Sequence, residues 1–206
     1  MNLNNIYLAN TYAGTGKGRA LYIGGRVNGI NIANINFTNI TAGSDGGAIF
    51  FGNVLTDLTY NNLSFVNTSS GGSGGAIYFT SAVTGLTLED IVFYNNSATS
   101  HGGAIYFASS ATDLTIRNID FYSHADGSGG AILIAGSVTR FSLDNVNFTN
   151  VYAKSGRGGA FYFTASPLNG INMSNVLFEN VSAGSYGGVI YFHCNNHNYD
   201  MNINNL

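Results

Sequence analysis

The chain has 206 residues, of which only 8% are charged, with 28 glycines, one proline and no tryptophan. Ordinary soluble domains carry about 25% charged residues, so the surface here is built from neutral polar groups, as in many extracellular repeats. A net charge of -3, with five arginines and two lysines, offers no basic face for a phosphate backbone and argues against nucleic acid as a partner.

Along the chain the first recognisable element is Gly18-Arg19-Ala20-Leu21. It returns as Gly46-Gly47-Ala48-Ile49, Gly74-Gly75-Ala76-Ile77, Gly102-Gly103-Ala104-Ile105, Gly129-Gly130-Ala131-Ile132, Gly158-Gly159-Ala160-Phe161 and Gly187-Gly188-Val189-Ile190. The copies are spaced 28, 28, 28, 27, 29 and 29 residues. A second block follows in phase, as in Leu58-Thr59-Tyr60, Leu86-Thr87-Leu88 and Leu114-Thr115-Ile116. An Asn or Asp, an aliphatic residue and then Phe65, Phe93 or Phe121 come next. A fixed period of this length is the signature of a solenoid.

Within each block apolar and polar residues alternate, the two-residue period of a strand. Six columns are expected to point inward: those of Ile77 and Phe79 from the Gly-Gly-Ala strand, and those of Leu86, Leu88, Ile91 and Phe93 from the second block. Every copy is apolar at these positions. One coil cannot stand alone, because ordering its backbone outweighs the burial of six side chains; stacking at about 4.8 Å must supply the rest. Equivalent residues then form ladders. One reads Asn5, Asn34, Asn62, Asp90, Asn118, Asn145, Asn175, Asn205, and a second reads Asn10, Asn39, Asn67, Asn95, Ser123, Asn150, Asn180. Asparagine tolerates left-handed φ and suits a repeated bend. The paired glycines are read as a further bend with positive φ. The expected fold is all-β, a single-stranded right-handed parallel β-helix of about seven coils of roughly 28 residues. The period is too long for the short hexapeptide coils of left-handed helices, and right-handed winding follows the rule for parallel crossovers.

Met1 falls in the column of Ile30 and Leu58, and Leu206 in that of Ile35 and Leu63. The expectation is one domain over 1–206, an uncapped fragment of a longer array with its signal and anchor elsewhere. Such open coils favour end-to-end self-association; the alternative is a complete small protein whose ends stack or trimerise. No run approaches the roughly 18 apolar residues of a membrane span. The opening residues lack the features of a secretory signal. The single cysteine, Cys194, excludes an intrachain disulfide framework. The distance from the Phe column to the Ala column varies from 10 to 12 residues, so binding specificity is expected on the edges rather than in the core.

Gly74-Gly75-Ala76-Ile77-Tyr78 and Gly102-Gly103-Ala104-Ile105-Tyr106 resemble the Gly-Gly-Ala-aliphatic signature of the adhesin-like proteins of methanogenic archaea. The chain is also similar to the polymorphic membrane protein repeats of chlamydiae, whose Phe-x-x-Asn element is matched by Phe93-Tyr94-Asn95-Asn96. Other coils place Asn two residues after Phe, as at Phe37 and Asn39, which favours the archaeal or a related prokaryotic likeness. The resemblance covers the whole chain. It implies an extracellular, cell-surface protein with an adhesive role, whose partners would be glycans or surface proteins of other cells.

Right-handed β-helices of the pectin lyase-like kind also carry polysaccharide lyases and glycoside hydrolases, which need paired carboxylates at one sugar or a base beside a metal. Here the ten acidic residues do not converge. Glu89, Arg117 and Asp144 share one outward column and alternate in sign, and Asp113 lies one coil from Arg140, so ladder neutralisation accounts for them. The outward column Asn2, Asn31, Thr59, Thr87, Thr115, Ser142, Asn172, Asn202 holds no acid or base. The expectation is therefore a non-catalytic binding or structural segment with no catalytic residue, metal or cofactor. The alternatives are a carbohydrate-active module whose catalytic residues are absent or outside this fragment, and a pure spacer. His193-Cys194-x-x-His197 has metal-ligand types without a third partner and reads as a chance pairing; His101 and His124 read as single loop residues. The candidate binding feature is aromatic: Tyr22, Tyr78, Tyr106, Tyr162 and Tyr191, in a column completed by Phe50 and Leu133. Such a stripe either stacks on sugar rings or another protein segment, or only stiffens the sheet. Asn36-Phe37-Thr38, Asn67-Thr68-Ser69 and Asn180-Val181-Ser182 match the glycosylation pattern, with ladder asparagines expected to be shielded.

Overall fold

The computed structural model describes residues 2–165, 167–193 and 199–205. The readings of Met1, Leu206, Cys194 and His197 lie outside the described residues. The chain is all-β and winds as a parallel β-solenoid of about seven turns. Short strands at the Gly-Gly-Ala motifs, such as Ile49–Phe51, Ile77–Phe79, Ile105–Phe107, Ile132–Ile134 and Phe161–Phe163, form one seven-stranded parallel sheet. Long strands, including Asn31–Ala42, Leu55–Ser70, Val83–Ala98, Ala111–Ala125, Val138–Thr149 and Leu168–Glu179, form the other sheet. Each strand pairs with its counterpart one coil away, so Leu58, Leu86, Leu114, Phe141 and Ile171 lie in one register. No helix among the described residues is long and apolar enough to cross a membrane.

The interior phenylalanines form the expected stack. Phe37, Phe65, Phe93, Phe121, Phe148 and Phe178 follow one another at 4.7, 5.0, 4.8, 4.9 and 5.1 Å between ring centroids. The core is larger than the six expected columns. Four more point inward, typified by Val83, Asn96, Ala98 and Ala104, all buried. Three successive members of the Asn96 column, Thr68, Asn96 and Ser123, are polar. Asn96 Nδ2 donates to the Phe65 carbonyl at 3.0 Å and to Thr68 Oγ1 at 2.7 Å, and Ser123 Oγ donates to the Gly130 carbonyl at 3.0 Å. Polar patterning concealed this column, since its burial depends on hydrogen bonds made inside the coil.

The long strands are not straight. Asp57, Asn62 and Asn67 each have φ of 52–53°, so one left-handed residue every five turns the strand while its pairing continues. Alternation restarts after each corner, which buries Leu58 and Tyr60, then Leu63 and Phe65, then Thr68 and Ser70. Two corners are the expected asparagine columns. The third, Gly29, Asp57, Gly85, Asp113, Arg140 and Gly170, has no common residue type and was not legible from the sequence. Ser123 does not belong to the second asparagine column. The register shifts between Tyr122 and Ser123, pairing Ser123 with Asn96; this coil omits the corner residue, and its Ser side chain turns inward.

The paired glycines serve two different needs. The first of each pair has positive φ, as at Gly74 (69°) and Gly102 (63°), as expected. The second has no such φ. A Cβ on Gly75 would strike the Gly103 carbonyl oxygen, and one on Gly103 the Gly130 carbonyl oxygen, so the second glycine is there to let coils approach.

Tyr60 occupies an interior column otherwise filled by aliphatic residues such as Ile32, Leu88 and Ile116. It is fully buried and its hydroxyl has no hydrogen-bond partner; burial alone raises its pKa well above the usual value. An unsatisfied buried hydroxyl costs roughly 1–3 kcal/mol. Tyr60→Phe is therefore expected to raise the thermal unfolding midpoint by about 2–4 °C for each kcal/mol recovered, as measured by calorimetry. A lowered midpoint would show that the hydroxyl is satisfied.

Candidate functional site

The outward charges are held along the solenoid axis. Arg117 Nη2 donates to Glu89 at 2.9 Å, and Arg140 pairs with Asp113 through both Nε and Nη2. Lys17 and Lys154 lie 3.7 and 3.5 Å from Asp45 and Asp126. The alternation expected for Glu89, Arg117 and Asp144 is only half realised. Asp144 instead accepts from Ser174 at 2.6 Å and Asn175 at 3.0 Å, and these bonds, Ser174 first, hold its pKa below the usual range.

Amide ladders run down the corners, with Nδ2 of one coil donating to Oδ1 of the coil before. Asn39, Asn67 and Asn95 each donate in this way at 2.8–3.1 Å. The first ladder is less regular: Asn118 donates to Asp90, Asn34 to Asn4, and Asn175 to Asp144. The expected shielding does not hold, since Asn67 and Asn180 are exposed, yet their amide nitrogens are engaged in ladder bonds.

The aromatic column does face away from the core. Its rings, however, stack on one another. Tyr22 and Phe50 are 5.3 Å apart with planes 4° from parallel, Phe50 and Tyr78 5.2 Å at 8°, and Tyr78 and Tyr106 5.0 Å at 17°. Ring faces within this run are occupied by neighbouring rings, so the run presents edges outward. Phe50 is buried beneath Lys17, whose Nζ lies 4.8 Å from its centroid. The Tyr78 hydroxyl is pushed up to about 12 by burial, then by the charge of Asp45 and by Tyr106.

The run stops at Leu133. Tyr106, Leu133 and Tyr162 are register partners, and the column resumes with Tyr162 and Tyr191, 5.3 Å apart and tilted 53°. At this missing tier lies a cleft of ≈ 500 Å³ lined by residues including His101, Tyr106, Ser128, Leu133, Arg157 and Tyr162, within the roughly 300–1,000 Å³ of small-molecule sites. The shortest and longest Phe-to-Ala segments, Phe121 to Ala131 and Phe148 to Ala160, meet beside it and supply Ser128 and Arg157.

Two residues passed over in the sequence gain a place here. His101 Nδ1 accepts the Ser128 backbone N–H at 3.0 Å, which leaves the Nε2 proton of the neutral ring as a donor. Burial lowers its pKa. Arg157 lies against Tyr186 and Tyr191, its guanidinium carbon 5.5 and 5.3 Å from their centroids, with Nη1 3.5 Å from the Tyr162 hydroxyl. Among the described residues it makes no ion pair, unlike Lys17, Arg117, Arg140 and Lys154. A second cleft of ≈ 310 Å³ sits where the asparagine ladder skips a coil, lined by Tyr94, Asn95, Tyr122, His124, Asn150 and Tyr152 among others. His124 is stacked on Tyr152 at 4.8 Å, and burial, its first cause, lowers its pKa.

Both histidines bind fewer protons folded than unfolded, so stability rises with pH across their range. Their contribution is complete above the ordinary value of 6.5 and is lost as pH falls through it to the depressed folded values. The unfolding midpoint is expected to drop as pH falls below about 6.5. His101→Gln with His124→Gln should flatten that part of the profile; an unchanged slope in the double variant would refute the assignment.

The model of the Chlamydia polymorphic membrane protein repeat matches residues 34–52 and 90–108. Each matched stretch runs from a left-handed corner residue through the interior Phe to the Gly-Gly-Ala strand. No curated protein and no solved structure matches the chain.

Proposed function

We propose that this chain is a non-catalytic, adhesin-like β-solenoid displayed on the outside of a cell, where it binds glycans or surface proteins of other cells. One observation carries the reading: asparagine amides and four ion pairs are engaged in bonds that hold coil to coil. Carboxylates that an enzyme would converge on a substrate are instead paired along the axis, Asp113 with Arg140 and Glu89 with Arg117. The match to the Chlamydia polymorphic membrane protein repeat supports surface display. The interruption in the aromatic column favours a binding role over a pure spacer, since a spacer has no need of an open tier.

Beads coated with the full chain should adhere to cells or to an immobilised glycan and protein panel, and adhesion should fall with Tyr106→Ala. No adhesion to any surface would leave the spacer reading. Release of reducing ends from polysaccharides would overturn the non-enzymatic one and favour a carbohydrate-active module.

A further inference from the structure

The geometry points to the open tier at Leu133 as a binding site for a carboxylated sugar residue, with Arg157 holding the carboxylate and Tyr106 and Tyr162 flanking the ring. This rests on the binding role proposed above and names its ligand class.

Three observations converge. The first is shape. Tyr106 and Tyr162 stand two strand spacings apart, about 9.6 Å, with Leu133, only 2% exposed, closing the floor between them. A carbon layer packs at about 3.5–4.0 Å from its neighbour, so one saturated six-membered ring fits between the two side chains above that floor. Elsewhere in the run each ring face is covered by the next ring; here the run ends, and beyond Tyr106 its column offers only Leu133, with the His101 ring near-parallel to Tyr106 at 6.4 Å. The apolar face of a pyranose suits such a surface, as apolar bodies do aromatic walls generally.

The second is hydrogen-bonding sense. His101 offers its Nε2 proton because Nδ1 is already occupied by the Ser128 N–H. Arg157 and the Tyr162 hydroxyl add further donors, and among the described residues no carboxylate lines the cleft. A ligand rich in acceptors is matched; a cationic one is not.

The third is charge. Four of the chain's basic side chains sit beside an acidic partner one coil away. Arg157 is instead packed against tyrosines, with His193 Nδ1 3.4 Å from its Nη1, and its guanidinium geometry suits two-point contact with a carboxylate. Its backbone N–H is anchored by Ser128 Oγ at 3.0 Å, so the base of the side chain is fixed at the rim. Uronates and sialates share the required chemistry, a carboxylate on a six-membered sugar ring.

The test is calorimetric titration of the full chain with a glucuronate-containing tetrasaccharide and with sialyllactose, each beside its methyl ester. At least one acid should bind and weaken as salt is raised, and its ester should bind at least tenfold more weakly. Arg157→Gln should cost at least tenfold in affinity, with Arg157→Lys intermediate. Leu133→Tyr, which completes the aromatic column, should abolish binding while leaving the unfolding midpoint equal or higher. The two acids distinguish uronate from sialate. Equal binding of acid and ester, wild-type affinity in Leu133→Tyr or Arg157→Gln, or no binding of either acid at millimolar concentration overturns the proposal. If coated beads still adhere to cells in that case, the adhesive reading stands and only this site fails.

Discussion

Replacing Gly103 by alanine will destabilise the protein by more than about 3 kcal/mol, at or beyond the upper end of what overpacking usually costs, and will lower the unfolding midpoint accordingly. Gly103 has no positive φ, so alanine is not strained locally. The damage comes from the next coil. The added Cβ would fall on the backbone carbonyl oxygens of Gly130 and His124, and backbone locked into two parallel ladders has nowhere to move. Gly188 supplies the internal control. It holds the same place in its motif, but among the described residues nothing lies within 4 Å of the added carbon. Gly188→Ala and Gly25→Ala, which is equally open, should both stay within about 0.5 kcal/mol of the parent. Thermal and urea unfolding of the three variants measure this directly. Equal losses at Gly103 and Gly188 would mean that the requirement lies in the glycine's own backbone and not in the neighbouring coil.

Phe93→Ala will remove the centre of the interior stack, at an expected 3–5 kcal/mol. Phe93 is fully buried and lies 5.0 Å from Phe65 and 4.8 Å from Phe121, with ring planes within 4° and 1° of parallel. Truncation leaves a cavity between two tiers whose separation is set by backbone hydrogen bonds, so the walls cannot collapse inward. Losing both ring contacts adds about 0.5–1.5 kcal/mol for each pair. In a protein of this size the midpoint should fall by roughly 2–4 °C for each kcal/mol. Phe178→Ala should cost clearly less, because Phe178 is only half-buried and, among the described residues, stacks on Phe148 alone. Similar losses at the two sites would argue against stability arising from contacts between neighbouring coils.

Repetition made much of this fold legible. The period, the register of Phe65, Phe93 and Phe121, the two asparagine corners and the outward turn of Tyr78 all follow from apolar alternation and identical residues recurring at a fixed distance. What escaped had no residue-type signature. The corner at Gly29, Asp57, Gly85, Asp113 and Arg140 is defined by φ alone. Asn96 is polar yet buried because its partners are the Phe65 carbonyl and the Thr68 hydroxyl, neither of which a pattern of apolar residues can mark. The second glycine of each pair looked like the first, since an approach between coils leaves no local trace.

The candidate site was half visible for the same reason. The aromatic column and its uneven edge, a 27-residue coil beside a 29-residue one, were legible, but pattern alone makes Leu133 a member of the column and not a gap in it. That Leu133 opens a cleft depends on ring stacking along the axis. That Arg157 faces it without an acidic partner depends on a loop conformation. His101 became a donor only through the Ser128 N–H at its Nδ1.

The claim on which all of this depends is the pairing of equivalent residues in successive coils, and engineered disulfides read it most directly. In a Cys194→Ser background, Thr87→Cys with Thr115→Cys places two thiols on register partners, within the Cα separation a disulfide accepts. Thr87→Cys with Arg117→Cys places them two residues out of register, since Arg117 pairs with Glu89. Mild oxidation should close the first pair quantitatively within the monomer and leave the second reduced. Closure of the second pair, or failure of the first, would contradict the stacked arrangement.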